Sequence, residues 1–141
     1  MDQVAIVDVP TTVTFRSAIR SSSSDPYAGE SFIVEVANGE LHASRCVFMF
    51  GFDWTAFTAF FADLAASWKG WPGERGWRSV EGDLSIAATH DARGHCSLSV
   101  TVQDGANPSW TVTVGEVRID AGEDLANLAS QVAGWVEHAQ P

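Results

Sequence analysis

The stretch Leu84-Ser85-Ile86-Ala87-Ala88-Thr89-His90-Asp91-Ala92-Arg93-Gly94-His95-Cys96-Ser97-Leu98-Ser99-Val100-Thr101-Val102 decides the fold. Its apolar residues, Leu84, Ile86 and Ala88, then Cys96, Leu98, Val100 and Val102, all fall on even positions. Two strands, each burying one face, account for that alternation. The turn between them is fixed by parity. A four-residue loop pairing His90 with His95 sets the apolar face of one strand against Ser97, Ser99 and Thr101, whereas the three-residue loop Ala92-Arg93-Gly94 pairs Ile86 with Val100 and Leu84 with Val102. The shorter loop also puts Gly94 where a turn-plus-bulge hairpin needs a left-handed residue. In this register His90 and Cys96 join the apolar face, and Asp91 faces His95 on the polar side.

Working outward, Thr12 to Ile19 alternates, with Val13, Phe15 and Ile19 on one face. Asn38-Gly39, between Ser31–Ala37 and Glu40–Phe50, marks a second hairpin, which pairs Val36 with Leu41, Val34 with Ala43 and Glu35 with His42. At Asp53 the period changes. Phe57, Phe61, Leu64 and Trp68 recur at helical spacing, Asp53 can cap the start, and Gly70 with Pro72 stops the helix. A further strand runs from Trp110 to Ile119, with its parity broken at Gly115-Glu116 as a bulge requires. Asp120 and Glu123 then form a capping-box-like start for a helix whose apolar face is Leu125, Leu128, Val132, Trp135 and Val136. The expected fold is α+β: a single domain over residues 1–141, with an antiparallel sheet of about six strands covered by two helices. Ser21 to Ser24 with Asp25-Pro26-Tyr27 reads as a polar loop.

At 141 residues and 45% hydrophobic content the chain can bury one core without disulfides or a structural metal. Eight Lys plus Arg against eighteen Asp plus Glu give 8 − 18 = −10. Residues 69–83 are neutral, and each flanking region carries −5. Such a charge disfavours nucleic acid and anionic membrane surfaces, whose recognition depends on basic residues. The N-terminus lacks a basic region followed by an apolar run, and Trp54 to Trp68 is too short to span a bilayer, so a cytoplasmic protein is expected. Cys46 and Cys96 are expected as free thiols in apolar surroundings.

Chemistry is sparsely signalled. His90, Asp91, His95 and Cys96 are potential metal ligands within seven residues, but the hairpin register splits them between two faces, so no metal and no cofactor is expected. Glu81 and Asp83 share one outward strand face, which could offer paired carboxylates for acid–base work, although a solvated strand face is the far commoner arrangement. Phosphate-loop, nucleophile-elbow and zinc-protease motifs are absent, and no catalytic residue is assigned. The distinctive segment is Trp68-Lys69-Gly70-Trp71-Pro72-Gly73-Glu74-Arg75-Gly76-Trp77, an aromatic turn whose Trp71, Glu74, Arg75 and Trp77 are the candidate binding residues. Packing of the helix end onto the following strand is the competing reading.

The run from Gly70 to Leu84, following Phe60-Phe61-Ala62-Asp63-Leu64-Ala65 and preceding His90-Asp91 and Gly94-His95, resembles a family of small bacterial proteins catalogued as domain of unknown function 6228. The resemblance implies a single intracellular domain and no mechanism. The order of strands, helix, strands and helix also looks like immunity proteins that neutralise toxins, a likeness of fold alone. The expected function is a non-enzymatic protein-binding module, immunity-like or regulatory, whose acidic surface meets a basic protein such as a toxin. The alternatives are a small-ligand binder built on Trp71 and Trp77, and a hydrolase using His90, His95 or Glu81.

Overall fold

The structure is a computed structural model and describes residues 2–21 and 29–139; the expected polar loop from Ser21 to Tyr27 lies outside them but for Ser21. The strands are β1 (Gln3–Asp8), β2 (Thr11–Ile19), β3 (Glu30–Asn38) and β4 (Leu41–Met49), then β5 (Arg75–Arg78), β6 (Leu84–His90), β7 (His95–Gln103) and β8 (Thr111–Asp120). Helix α1 (Gly51–Ala66) separates the two sets, and α2 (Glu123–Glu137) follows the second. The chain is α+β, but in place of one sheet of about six strands there are two antiparallel sheets of four, ordered β1-β2-β3-β4 and β5-β6-β7-β8. Two strands escape the alternation rule. In β1 the exposed Ala5 and Val7 are as apolar as the buried Val4 and Ile6, which erases the period of two. β5 is only four residues long, and its first three lie inside the segment read as an irregular turn. The sheets are separate because each half of the chain pairs only with its sequence neighbours, with α1 between β4 and β5.

The register of the second sheet is the expected one: Ile86 pairs with Val100 and Leu84 with Val102, and Gly94 has φ +90°. Leu98 pairs with Val117 and Val100 with Val114, so Gly115 and Glu116 stand against Ser99 alone, which is the bulge. The Asn38-Gly39 hairpin differs by two residues. Asn38 pairs with Leu41, Val36 with Ala43 and Glu35 with Ser44, and Gly39 is the first central residue of the turn at φ +59°. A shift of two preserves the faces, so Val34 and Val36 remain in the core while Leu41 is exposed. In β2 the alternation fails at Ser17, whose φ of +56° accompanies a register shift between Arg16 and Ile19 and leaves Ile19 exposed.

Both helix starts differ in detail from the expected caps. Phe50 is the N-cap of α1, and Asp53 sits three residues inside, its carboxylate accepting the Phe50 N–H at 2.8 Å. Gly122 caps α2, and the Asp120 carboxylate accepts the Gly122 N–H at 2.9 Å. Reaching back from N3 satisfies an orphan amide as well as a side-chain cap does. Helix α1 ends at Ala66, so Trp68 leaves the apolar face and is 53% exposed. The remaining apolar faces of both helices and one face of each sheet join in a single core cluster. Its centre is aromatic: Phe15 meets Phe57 at 5.2 Å, and Phe32 meets Trp135 at 5.6 Å with the rings nearly perpendicular. Such edge contacts contribute about 0.5–1.5 kcal/mol each beyond their burial. No helix among the described residues is long and apolar enough to cross a membrane.

Candidate functional site

The aromatic turn is held from both sides. Trp71 is 7% exposed and donates its Nε1–H to the Ala88 carbonyl at 3.2 Å. The His90 ring lies edge-on to it at 5.2 Å, and the Arg75 guanidinium covers its ring at 4.9 Å. Arg75 also donates to Ser67 Oγ at 2.8 Å, which ties β5 to the end of α1. Trp77 pairs with Ile86 and packs edge-on against Phe57 at 4.8 Å. Of the four candidate residues, Arg75 and Trp77 therefore join the α1 region to the second sheet, and Trp71 packs on β6 beneath Arg75. Glu74 is exposed and shares with Trp77 a shallow trough of about 300 Å³, together with Gly76, Arg78, Ser99 and Thr101.

The hairpin tip separates its ligands as the register requires. His90 Nε2 donates to the Trp68 carbonyl at 2.9 Å while its Nδ1 accepts the Ala92 N–H at 2.8 Å, so both ring nitrogens are committed. Gly70, with φ +128°, lets the chain pass close by: a Cβ there would stand 3.1 Å from His90 Nδ1. Across the tip, Asp91 accepts the Arg93 and His95 N–H groups and meets His95 Nδ1 at 2.8 Å. Desolvation nudges the Asp91 carboxyl up, but those hydrogen bonds outweigh it and hold the group at about 2. No group of three or more metal-binding side chains occurs among the described residues. Cys96 is buried, and burial pushes its thiol up to about 11, whereas Cys46 is exposed. The exposure of Cys46 corrects its expected apolar setting: it lies on the outward side of β4, opposite Ile33.

Glu81 and Asp83 do not share a face. Both precede β6, and Glu81 is exposed, whereas Asp83 is 2% exposed and receives the Arg45 Nε–H of β4 at 3.3 Å. Its Oδ1 has no partner among the described residues. Arg45 and Asp83 thus link the two sheets, a contact 38 residues apart that no local pattern announces. Glu35, expected opposite His42, reaches it diagonally at 3.2 Å and also pairs with Arg16.

A polar cleft of about 260 Å³ occupies the other junction of the sheets, between β1, β8 and α2. Beside it Asp8 accepts the N–H of the lining residue Arg118 at 2.9 Å, and Asp120 and Asp124 are among the lining residues. Its residues gave no sequence signal, because their proximity depends on which strands end each sheet.

A family model matches residues 6–139, nearly the whole chain. The chain belongs to the family of unknown function DUF6228. Membership covers both sheets and both helices, from within β1 to the end of α2, and brings no activity with it. No curated protein matches the chain, and no solved structure does.

Proposed function

We propose that this DUF6228 chain is a non-enzymatic protein-binding module, immunity-like or regulatory and cytoplasmic, that selects a basic partner through its acidic surface. The observation that carries the reading is the scarcity of internal neutralisation. Among the carboxylates of the described residues only Glu35, Asp83 and Asp91 take part in ion pairs. The carboxylates left over include Asp120, Glu123 and Asp124 around the start of α2, with Asp8 beside them through its bond to Arg118. An unneutralised field of this kind speeds encounter with a cation more than it tightens the final contact. Screening acts over about 8 Å at physiological ionic strength, so salt should slow association and leave dissociation nearly unchanged. The test is capture of a partner from the source lysate followed by binding kinetics over a salt series. A basic partner with a strongly salt-dependent on-rate supports the reading; an acidic partner, or association indifferent to salt, overturns it. The small-ligand alternative rests on the trough that Glu74 and Trp77 share.

A further inference from the structure

We propose that the cleft between β1 and β8 receives an extended, basic segment of a partner protein as an added strand; this rests on the acidic-surface reading above and gives it a location. β1 and β8 are the terminal strands of their sheets, so each has one ladder of main-chain groups that no neighbouring strand uses. The chain turns from β1 to β2 at Val9-Pro10, closed by the pair Asp8 and Thr11. Main-chain groups alternate along a strand, so those of Ala5 and Val7 point away from β2. Among the described residues no hydrogen bond reaches that outer edge between Gln3 and Val7. Ala5 to Val7 form one wall of the cleft and Arg118 to Asp120 another, so the unfilled edge of β1 and the partly filled edge of β8, whose Arg118 N–H is taken by Asp8, border the same cavity.

The chain itself shows how the edges can be used. At one end the Asp8 carboxylate accepts the Arg118 N–H, a side chain standing in for the missing strand. Among the described residues no side chain plays that part between Gln3 and Val7. Unfilled edges pair readily with another extended chain, which is how strand addition obtains its affinity.

Charge selects the occupant. Helix α2 contributes Asp124, Asn127 and Gln131 to the cleft, and Asp120 adds a second carboxylate. Neither Asp120 nor Asp124 has an ion-pair partner among the described residues. The one cation of the lining, Arg118, stands 4.0 Å from Asp91, which draws off part of its charge. A strand entering here therefore meets the free edge of β1 on one side, the partly filled edge of β8 on the other and two carboxylates in the lining, so Lys or Arg side chains are favoured and Asp or Glu disfavoured.

The probe is a capped eight-residue peptide of alternating Lys and Val. One control is its Glu counterpart; the other is the Lys peptide with alternate main-chain nitrogens methylated, which keeps the charge and removes the strand-pairing donors. Binding is followed by amide NMR shifts and by hydrogen exchange at Ala5 and Val7. The Lys peptide should slow exchange at both residues and move the Asp124 and Asn127 signals. The Glu and methylated peptides should each bind at least about tenfold more weakly. Val7→Pro removes an edge amide, and Asn127→Arg fills the cleft with a cation from an exposed helix position; each should weaken the Lys peptide about tenfold or more. Equal binding of the methylated peptide, shifts confined to other surfaces, or no binding at millimolar peptide overturns the proposal. If a captured basic partner keeps its salt-dependent association with Asn127→Arg undiminished, strand addition fails while the acidic-surface reading stands. If the captured partner associates at a rate indifferent to salt but the Lys peptide protects Ala5 and Val7, the acidic-surface reading fails while strand addition stands.

Discussion

Replacing Trp71 by Ala separates packing from recognition in the aromatic turn. The indole is 7% exposed, sits under Arg75 and beside His90, and donates to Ala88. Deleting an aromatic side chain from such a site costs about 3–5 kcal/mol through lost transfer energy and the cavity left behind. Losing the bond to the Ala88 carbonyl accounts for about 0.5–1.5 kcal/mol of that change. Trp71→Phe keeps most of the ring contact and should cost about 1–2 kcal/mol, the bond and a small void. Trp68→Ala is the internal comparison. Its indole is 53% exposed with Lys69 as a cationic neighbour, and the change should cost under about 1 kcal/mol. Urea unfolding followed by far-ultraviolet circular dichroism reads all three. With a slope near 2 kcal/mol per molar, Trp71→Ala should lower the midpoint by about 2 M. A loss under about 1 kcal/mol, or a larger loss for Trp68→Ala than for Trp71→Ala, would refute the packing account and return the indole to a binding role.

Three further outcomes are expected. Arg45→Met should destabilise by about 1–3 kcal/mol, because it strips Asp83 of its single side-chain partner among the described residues, and Asp83→Asn should cost less; chemical denaturation of both variants checks the order. Native protein should react with a thiol reagent at Cys46 and spare Cys96 until denatured, as mass spectrometry of the labelled peptides would show. Asp91, held at about 2 against its ordinary 3.8, binds its proton more weakly folded than unfolded. Its contribution to stability is therefore complete above about 4 and is lost as pH falls through about 2; carboxyl NMR should give that midpoint, and His95→Ala should raise it.

Residues that decide their environment locally were legible from the sequence. The even positions of Leu84 to Ala88 and Cys96 to Val102, together with Gly94, force one register, and the parity break at Gly115-Glu116 forces one bulge. The Asn38-Gly39 hairpin was legible in its faces but not in its offset, because a slip of two residues leaves every side chain on the same side. The division into two sheets was not legible at all. Whether β4 pairs with β5 depends on where α1 carries the chain, and no hydrophobic pattern within either strand encodes that.

The same division explains why so little of the candidate site could be read beforehand. Trp71 and Arg75 announce themselves by composition, yet composition cannot distinguish a ring stacked on a partner from one stacked on its own sheet; the bond to Ala88 and the His90 contact make that distinction. The cleft is the opposite case. Ala5, Val7, Asn127 and Gln131 are unremarkable residues, and they acquire meaning only because two sheets end facing one another. A single six-stranded sheet would have two edges, whereas two four-stranded sheets have four. Arg45 and Asp83 join the sheets at one junction by a side-chain bond, and at the other Asp8 satisfies one amide beside an open cavity. If recognition uses main-chain pairing, the junction left open is where it has room to occur.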